Sequence, residues 1–282
     1  MSHKSSPYVS VIITAYNRKK YLLSAVMSAL NQTLSRHLYE VIVVKNYEDY
    51  HIDSKLKEWG ITSVLSTEKR LGAMFSDGLE TASGNVISLL DDDDEFVPEK
   101  LQVVYQEFED GAEYYHNGRV VINEKGTEVR RNGISVRACN EEEKAAYLNY
   151  LDKGPWVNDS SMSITRSILV KELSTLREVS IALDGFLFLL GLMRAKCMVD
   201  DPRPLTVYRT SSYHVGTDLS SWRTYLEAQR AVAERNLHDD EVMLRMSKGT
   251  PYQVFAEYAM SWAKLNYLAL PDARPAFYIK DF

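Results

Sequence analysis

The chain has 282 residues, 45% hydrophobic and 26% charged, enough for one large domain with a sizeable core plus an appendage. A net charge of −6 and a pI near 5.6 exclude a protein whose main work is gripping a nucleic-acid backbone, because that needs clustered Lys and Arg. Cys139 and Cys197 lie far apart with no CxxC and no nearby His pair, so two reduced thiols are expected, with neither a disulfide nor a zinc site.

The polar N-terminus leads straight into a strand-like run and leaves no room for a signal-peptide core. The longest apolar stretch, Phe186 to Met193, falls well short of the roughly 20 residues needed to cross a bilayer. A cytoplasmic protein with at most peripheral membrane contact is expected. Tyr8 to Thr14 reads as a buried strand, and Tyr21 to Leu30 as a helix with Leu22, Val26 and Leu30 on one stripe and Asn17 as its cap. Tyr39 to Val44 is a second strand, Asp53 to Trp59 a helix, Ile61 to Leu65 a third strand, Ala73 to Ala82 a helix and Asn85 to Leu90 a fourth strand. Val- and Ile-rich strands alternating with helices indicate a parallel sheet covered on both faces.

A helix from Glu99 to Phe108 follows, then strand-like pieces at Val120 to Asn123 and Ser161 to Thr165, a buried helix from Leu183 to Arg194 and a strand from Pro204 to Tyr208. Trp222 to Leu237 and Pro251 to Leu268 are charged and helix-prone, so residues 216–282 are expected to form a helical appendage to a domain spanning 1–215. Within that domain the segment NVISLLDDDDEF, Asn85 to Phe96, carries an apolar strand directly into the successive carboxylates Asp91 to Glu95. Such a run repels itself unless a cation or strong donors offset it. In an open parallel sheet ligands bind beyond the carboxyl ends of strands, and oxygen donors there suit Mg²⁺ or Mn²⁺ bridging phosphates. An acidic turn exposed to water is the plainer reading of such a run.

Four segments together resemble the family-2 glycosyltransferases of the GT-A fold: SVIITAYNR (Ser10 to Arg18), EVIVV (Glu40 to Val44), RLGAMFSDGLETASGNVISLLDDDDEF (Arg70 to Phe96) and LDGFLFLLGLMR (Leu183 to Arg194). The resemblance covers about residues 8 to 215. It implies an α/β fold with a mostly parallel central sheet, a DxD-type motif, a nucleotide-diphosphate sugar donor, a divalent metal and a saccharide or lipid-linked acceptor. Carried over, it places Thr14 and Tyr16 beside the base, Tyr16 offering a flat face for stacking. Where the family has an acidic residue after its second strand, this sequence has Lys45 and Asn46, and Asn46 takes that place. Arg70 is expected at the diphosphate, and Asp77 stands where the family commonly has Asn. Asp91 and Asp92 are expected near the ribose and sugar, and Asp93 on the metal. His214 resembles a C-terminal histidine that completes the metal site; by itself it reads as a surface residue.

Transfer from a nucleotide sugar has a good leaving group, so the protein must chiefly supply a base for the acceptor hydroxyl, with inversion at the anomeric carbon. The resemblance points to Asp184 in Leu183-Asp184-Gly185; the alternative is a helix cap. A rival enzyme class, a sugar-1-phosphate nucleotidyltransferase, needs a Gly-rich phosphate loop near the N-terminus, where TAYNRKK stands instead. A sugar-nucleotide binder without turnover is a third reading. Asn149 to Thr165, with Trp156, Asn158 and Asp159, reads equally as an acceptor wall and as a loop entering a strand. The aromatic residues of the appendage fit an acceptor-side support or an oligomer contact.

Overall fold

The computed structural model describes residues 6–123, 128–131, 134–210 and 222–270. Strand β1 (Val9–Ala15) is buried along its whole length because helices cover both faces of the sheet. Its side chains alternate between two cores: Val9, Val11 and Ile13 pack with helices α1 (Leu22–Leu30) and, further along the chain, α4 (Lys100–Glu109), whereas Ile12 faces helix α3 (Leu71–Thr81). Strands β2 (Tyr39–Lys45), β3 (Thr62–Leu65) and β4 (Val86–Asp91) run parallel to β1, with Ile12 opposite Ile42 and Leu89, and α2 (Tyr50–Glu58) links β2 to β3. Helix α3 lies close enough that a Cβ at Gly78 would stand 2.7 Å from Ile12 and 2.8 Å from Val44. These elements follow the expected order.

The second half departs from the expected pattern. After the short strand β5 (Glu95–Phe96) and α4 come β6 (Tyr114–Ile122), β7 (Glu128–Arg131), β8 (Val136–Ala138), helix α5 (Glu141–Tyr147), β9 (Met162–Thr165), the short helices α6 (Arg166–Lys171) and α7 (Leu173–Leu176), α8 (Leu183–Arg194) and β10 (Met198–Arg209). The sheet order is β3-β2-β1-β4-β9-β6-β10-β5, with β9 antiparallel to both neighbours and β6 parallel to β10. The expected strand pieces at 120–123 and 204–208 are therefore the ends of much longer strands. Asp200 and Asp201 disguise β10: buried in the sheet, they accept hydrogen bonds from the hydroxyls of Tyr147 (2.9 Å) and Tyr115 (3.0 Å). Register shifts beside Pro204 let the proline-bearing strand continue.

The expectation of two separate thiols is corrected. Cys139 and Cys197, 58 residues apart in the sequence, are joined as a disulfide, because β8 pairs with β10 and sets Ala138 opposite Met198. Beyond residue 221, helix α9 (Trp222–Ser247) runs ten residues further than expected, and α10 (Gln253–Leu268) folds back on it. Val242, Met243, Tyr252, Phe255 and Ala256 join the core cluster of α8, with the Phe255 ring 5.0 Å from that of Phe188. Trp156 packs against the same Phe255, at 5.9 Å between centroids.

Candidate active site

The carboxyl ends of β1, β2 and β4 meet at one edge. Thr14 is paired with Asp91, and the loops after β1 and β2 are stitched together. The Asn17 N–H donates to the Asn46 Oδ1 at 2.8 Å, the Asn46 amide donates back to the Asn17 Oδ1 at 2.9 Å, and the Tyr47 hydroxyl donates to the Arg18 carbonyl. Asn17 is therefore not a helix cap. Its backbone is left-handed at φ 56°, and α1 begins at Leu22 after Tyr21 with no side-chain cap. Tyr16 is exposed beside this junction.

The acidic loop turns back on itself, with the Asp94 N–H donating to the Asp91 carbonyl at 3.2 Å. Asp92 and Asp93 are buried, and both are paired with Arg18, whose Nη1 is 2.7 Å from the Asp93 Oδ2. A cavity of about 300 Å³ opens against them, lined also by Asn17, Lys19, Lys20 and Tyr21. Burial pushes the Asp92 carboxyl up to about 7, with Arg18 opposing and Asp93 and Asp91 reinforcing the shift. Burial and the Asp93 charge raise Asp91 to about 7. Arg209, at the end of β10, closes the far side: its N–H donates to Asp94 at 2.9 Å and its guanidinium pairs with Glu95 at 3.1 Å.

Behind this loop stands a second group of carboxyls. Asn158 has a left-handed backbone at φ 83°, and it is buried. Its N–H donates to the Asp184 Oδ2 at 3.2 Å and its amide to the Asp94 Oδ2 at 3.2 Å, so one strained residue ties the acidic loop to α8. Asp184 lies in the first turn of α8 after the cap residue Ala182, and it also accepts from the Gly185 N–H at 2.8 Å. Burial raises the Asp184 carboxyl, against these two N–H donors. Asp159 and Asp94 are pushed well above the usual carboxylate range, by burial first and then by neighbouring charges, those of Asp184 and Asp91 respectively. The Asp159 Oδ1 is buried with no hydrogen-bond partner.

The structure thus gathers Thr14, Asp91, Asp92, Asp93 and Asp184 at one end of the sheet, with Asn46 and Tyr16 at its rim. Arg70 is an exposed residue capping α3. Asp77 has both oxygens engaged, accepting from the Ser66 hydroxyl at 2.6 Å and from Arg177 at 2.9 Å. His214 lies outside the described residues. Sequence reasoning missed Arg18 and Arg209, and named Asn158 only within a candidate acceptor wall. Arg18 stands in the quoted SVIITAYNR segment, where a cation just beyond a strand end was a usable signal.

Among the described residues no group of three or more His, Cys, Asp or Glu is arranged to hold a metal ion. The donor set still fits a hard cation. Two buried carboxylates already face a positive charge, that of Arg18, and Mg²⁺-type ions are commonly held by one or two carboxylates together with substrate phosphates. No helix among the described residues is long and apolar enough to cross a membrane.

The family description "Glycosyl transferase family 2" matches residues 10–172. A glycosyltransferase of Nostoc sp. is 35% identical over 106 residues, which are 36% of this chain and 33% of that protein. The chain spans about a third of the length of the first curated relatives it matches, 32% and 33%. Among solved structures, the 1–349 fragment of S. aureus TarS aligns over 93% of this chain and 75% of its own, at 14% identity and a TM-score of 0.62. The mannosyltransferase PcManGT from Pyrobaculum calidifontis, in complex with GDP-Man and Mn²⁺, aligns over 94% and 75%, at 15% identity and a TM-score of 0.59. These likenesses show a shared fold, that of the GT-A enzymes.

Proposed function

This chain belongs to glycosyl transferase family 2, and from that premise we propose that it is a glycosyltransferase that moves a sugar from a nucleotide-diphosphate donor to an acceptor hydroxyl with inversion, using Mg²⁺ or Mn²⁺. The donor class is supported by the relatives of known structure: TarS was solved with UDP-GlcNAc and PcManGT with GDP-Man and Mn²⁺. The observation that carries the reading is the buried Asp92–Asp93 pair, balanced by Arg18 and open to a cavity, with Asp184 held behind it.

In this reading Asp93 would hold the metal, with Asp92 beside it, and the ion would supply positive charge against the diphosphate leaving group. Arg18 leaves the carboxylates when the donor binds and turns its guanidinium to the phosphates, a bidentate partner it suits. Thr14, Tyr16 and Asn46 line the base, with Tyr16 exposed for stacking. Asp184 takes the acceptor proton. Burial raises its pKa toward the range a base needs near neutrality, and the Asn158 and Gly185 N–H groups fix its orientation.

A thermal-shift panel of UDP- and GDP-sugars with and without Mn²⁺ tests this, since a ligand bound only by the folded state raises stability with the logarithm of its concentration. The expected result is stabilisation that requires Mn²⁺, followed by slow donor hydrolysis. Pyrophosphate release from a nucleoside triphosphate, or no response to any nucleotide, would overturn it.

A further inference from the structure

We infer that Asp239, on the C-terminal helix α9, is a positioning residue for the proposed transfer, holding with one carboxylate the segment that carries both Arg70 and Asp184. Asp239 is 1% exposed. Its Oδ1 accepts the N–H of Ser180 at 2.7 Å, and its Oδ2 accepts those of Ile181 at 2.8 Å and Ala182 at 2.9 Å. Those three donors immediately precede α8, where free N–H groups otherwise lack partners. The same helix grips the segment further back, through His238 Nε2 at 3.2 Å from the Glu178 carbonyl and Arg245 on the Glu178 carboxylate at 2.5 Å.

The other edge of this segment carries the start of α3. The Leu71 N–H donates to the Ser180 carbonyl and the Gly72 N–H to the Val179 carbonyl, each at 3.0 Å. The approach is so close that a Cβ at Gly72 would sit 2.1 Å from the Leu176 carbonyl oxygen. Arg70, the cap residue of α3, is thereby placed by residues 179–180. At the forward end, the Ala182 carbonyl accepts the Phe186 N–H at 3.1 Å and so fixes the first turn of α8, which contains Asp184. One carboxylate from the region beyond residue 221 thus stands behind both Asp184 and Arg70, the residue expected at the diphosphate, which are 114 positions apart in the sequence. Removing it leaves one buried and two partly buried N–H groups unpaired and frees both ends together.

This inference rests on the transferase reading only for its kinetic arm. Hydrogen exchange of the full chain is measured first on Asp239→Ala and on the near-isosteric Asp239→Asn, which guards against a variant that does not fold. Protection is expected to fall in peptides covering 68–75 and 178–190, while peptides from β1 and β2 keep theirs. Loss confined to α9, or spread evenly over the chain, would overturn the inference whatever the enzyme's activity. Titration with UDP and with GDP plus Mn²⁺ should show about tenfold weaker binding through Arg70. In single-turnover transfer, Asp239→Asn should slow wild-type chemistry about tenfold yet add less than about twofold to Asp184→Asn, the non-additivity of residues that act through one another. Multiplying rate losses would show a general stability effect and refute positioning. If no donor is turned over, the transferase reading falls while the exchange data still decide the coupling of the two segments.

Discussion

Two sets of carboxyls stand at the same end of the sheet and are balanced by different means. Asp92 and Asp93 face the guanidinium of Arg18 across an open cavity. Asp94 and Asp184 are instead held by neutral donors, the Asn158 amide and the N–H groups of Arg209, Asn158 and Gly185, with Asp159 beside them lacking any partner for one oxygen. A charge balanced by a movable side chain can be exchanged for another cation. A charge balanced by fixed dipoles among other buried acids tends instead to keep or take up a proton. In the proposed reading the first set is the one that exchanges Arg18 for a metal ion, and the second contains the group that takes the acceptor proton.

The comparison breaks most visibly at Asp184. Asp184→Asn should lower turnover by about two to four powers of ten while donor affinity holds, because a general base is worth that much and the amide still accepts one backbone N–H. Single-turnover transfer together with donor titration checks this, and a rate within about threefold of wild type would remove Asp184 from the chemistry. In the other set, Asp93→Ala or EDTA should weaken UDP or GDP binding by at least about tenfold in calorimetry, roughly 1.4 kcal/mol. Equal affinity with and without metal would sink the assignment.

Arg18→Gln sharpens the difference. With the internal cation gone, the nucleotide-free protein should bind Mn²⁺ about tenfold more tightly, a change of roughly 1.4 kcal/mol followed by the resonance of free Mn²⁺. Asn158→Gly, which can keep the left-handed backbone but loses the amide on Asp94, should leave Mn²⁺ affinity unchanged; a parallel gain would merge the two sets.

The smallest effect concerns pH. Burial raises Asp91 and Asp92 to about 7, so between about 4 and 7 the folded chain holds more protons than the unfolded one. Their contribution to stability is present in full below the unfolded pKa and is lost as pH rises through 7. The melting temperature of the ligand-free protein should fall by a few degrees across that window, about 2–4 °C per kcal/mol for a chain of this size. Mn²⁺ should reduce the fall by stabilising the ionised pair. A melting point that climbs from pH 4 to 7 in calorimetry would contradict the raised values.

The sequence by itself determined the first half of the sheet, the acidic loop at its carboxyl end and the two-sided burial of β1 and β4. Both faces of these strands are apolar, so local composition reports their environment directly. It also pointed to Asp184 as an expected base, through the resemblance of the segment around it. Only the tertiary structure decided what balances each acid. Arg18 meets Asp92 across 74 residues of sequence because β1 and β4 are neighbours, and Asn158 meets Asp184 because the chain takes a left-handed turn that no periodicity announces. Strand β10 stayed hidden behind Asp200, Asp201 and two prolines: Asp200 is met by the Tyr147 hydroxyl and Asp201 by the Tyr115 hydroxyl and by Arg203 of its own strand, pairings that local composition does not show. Asp239 looked like one more charge on a polar helix. The packing of α9 lays that carboxylate against one buried and two partly buried N–H groups, since ion pairs and caps between distant segments depend on packing order, which local patterns do not carry.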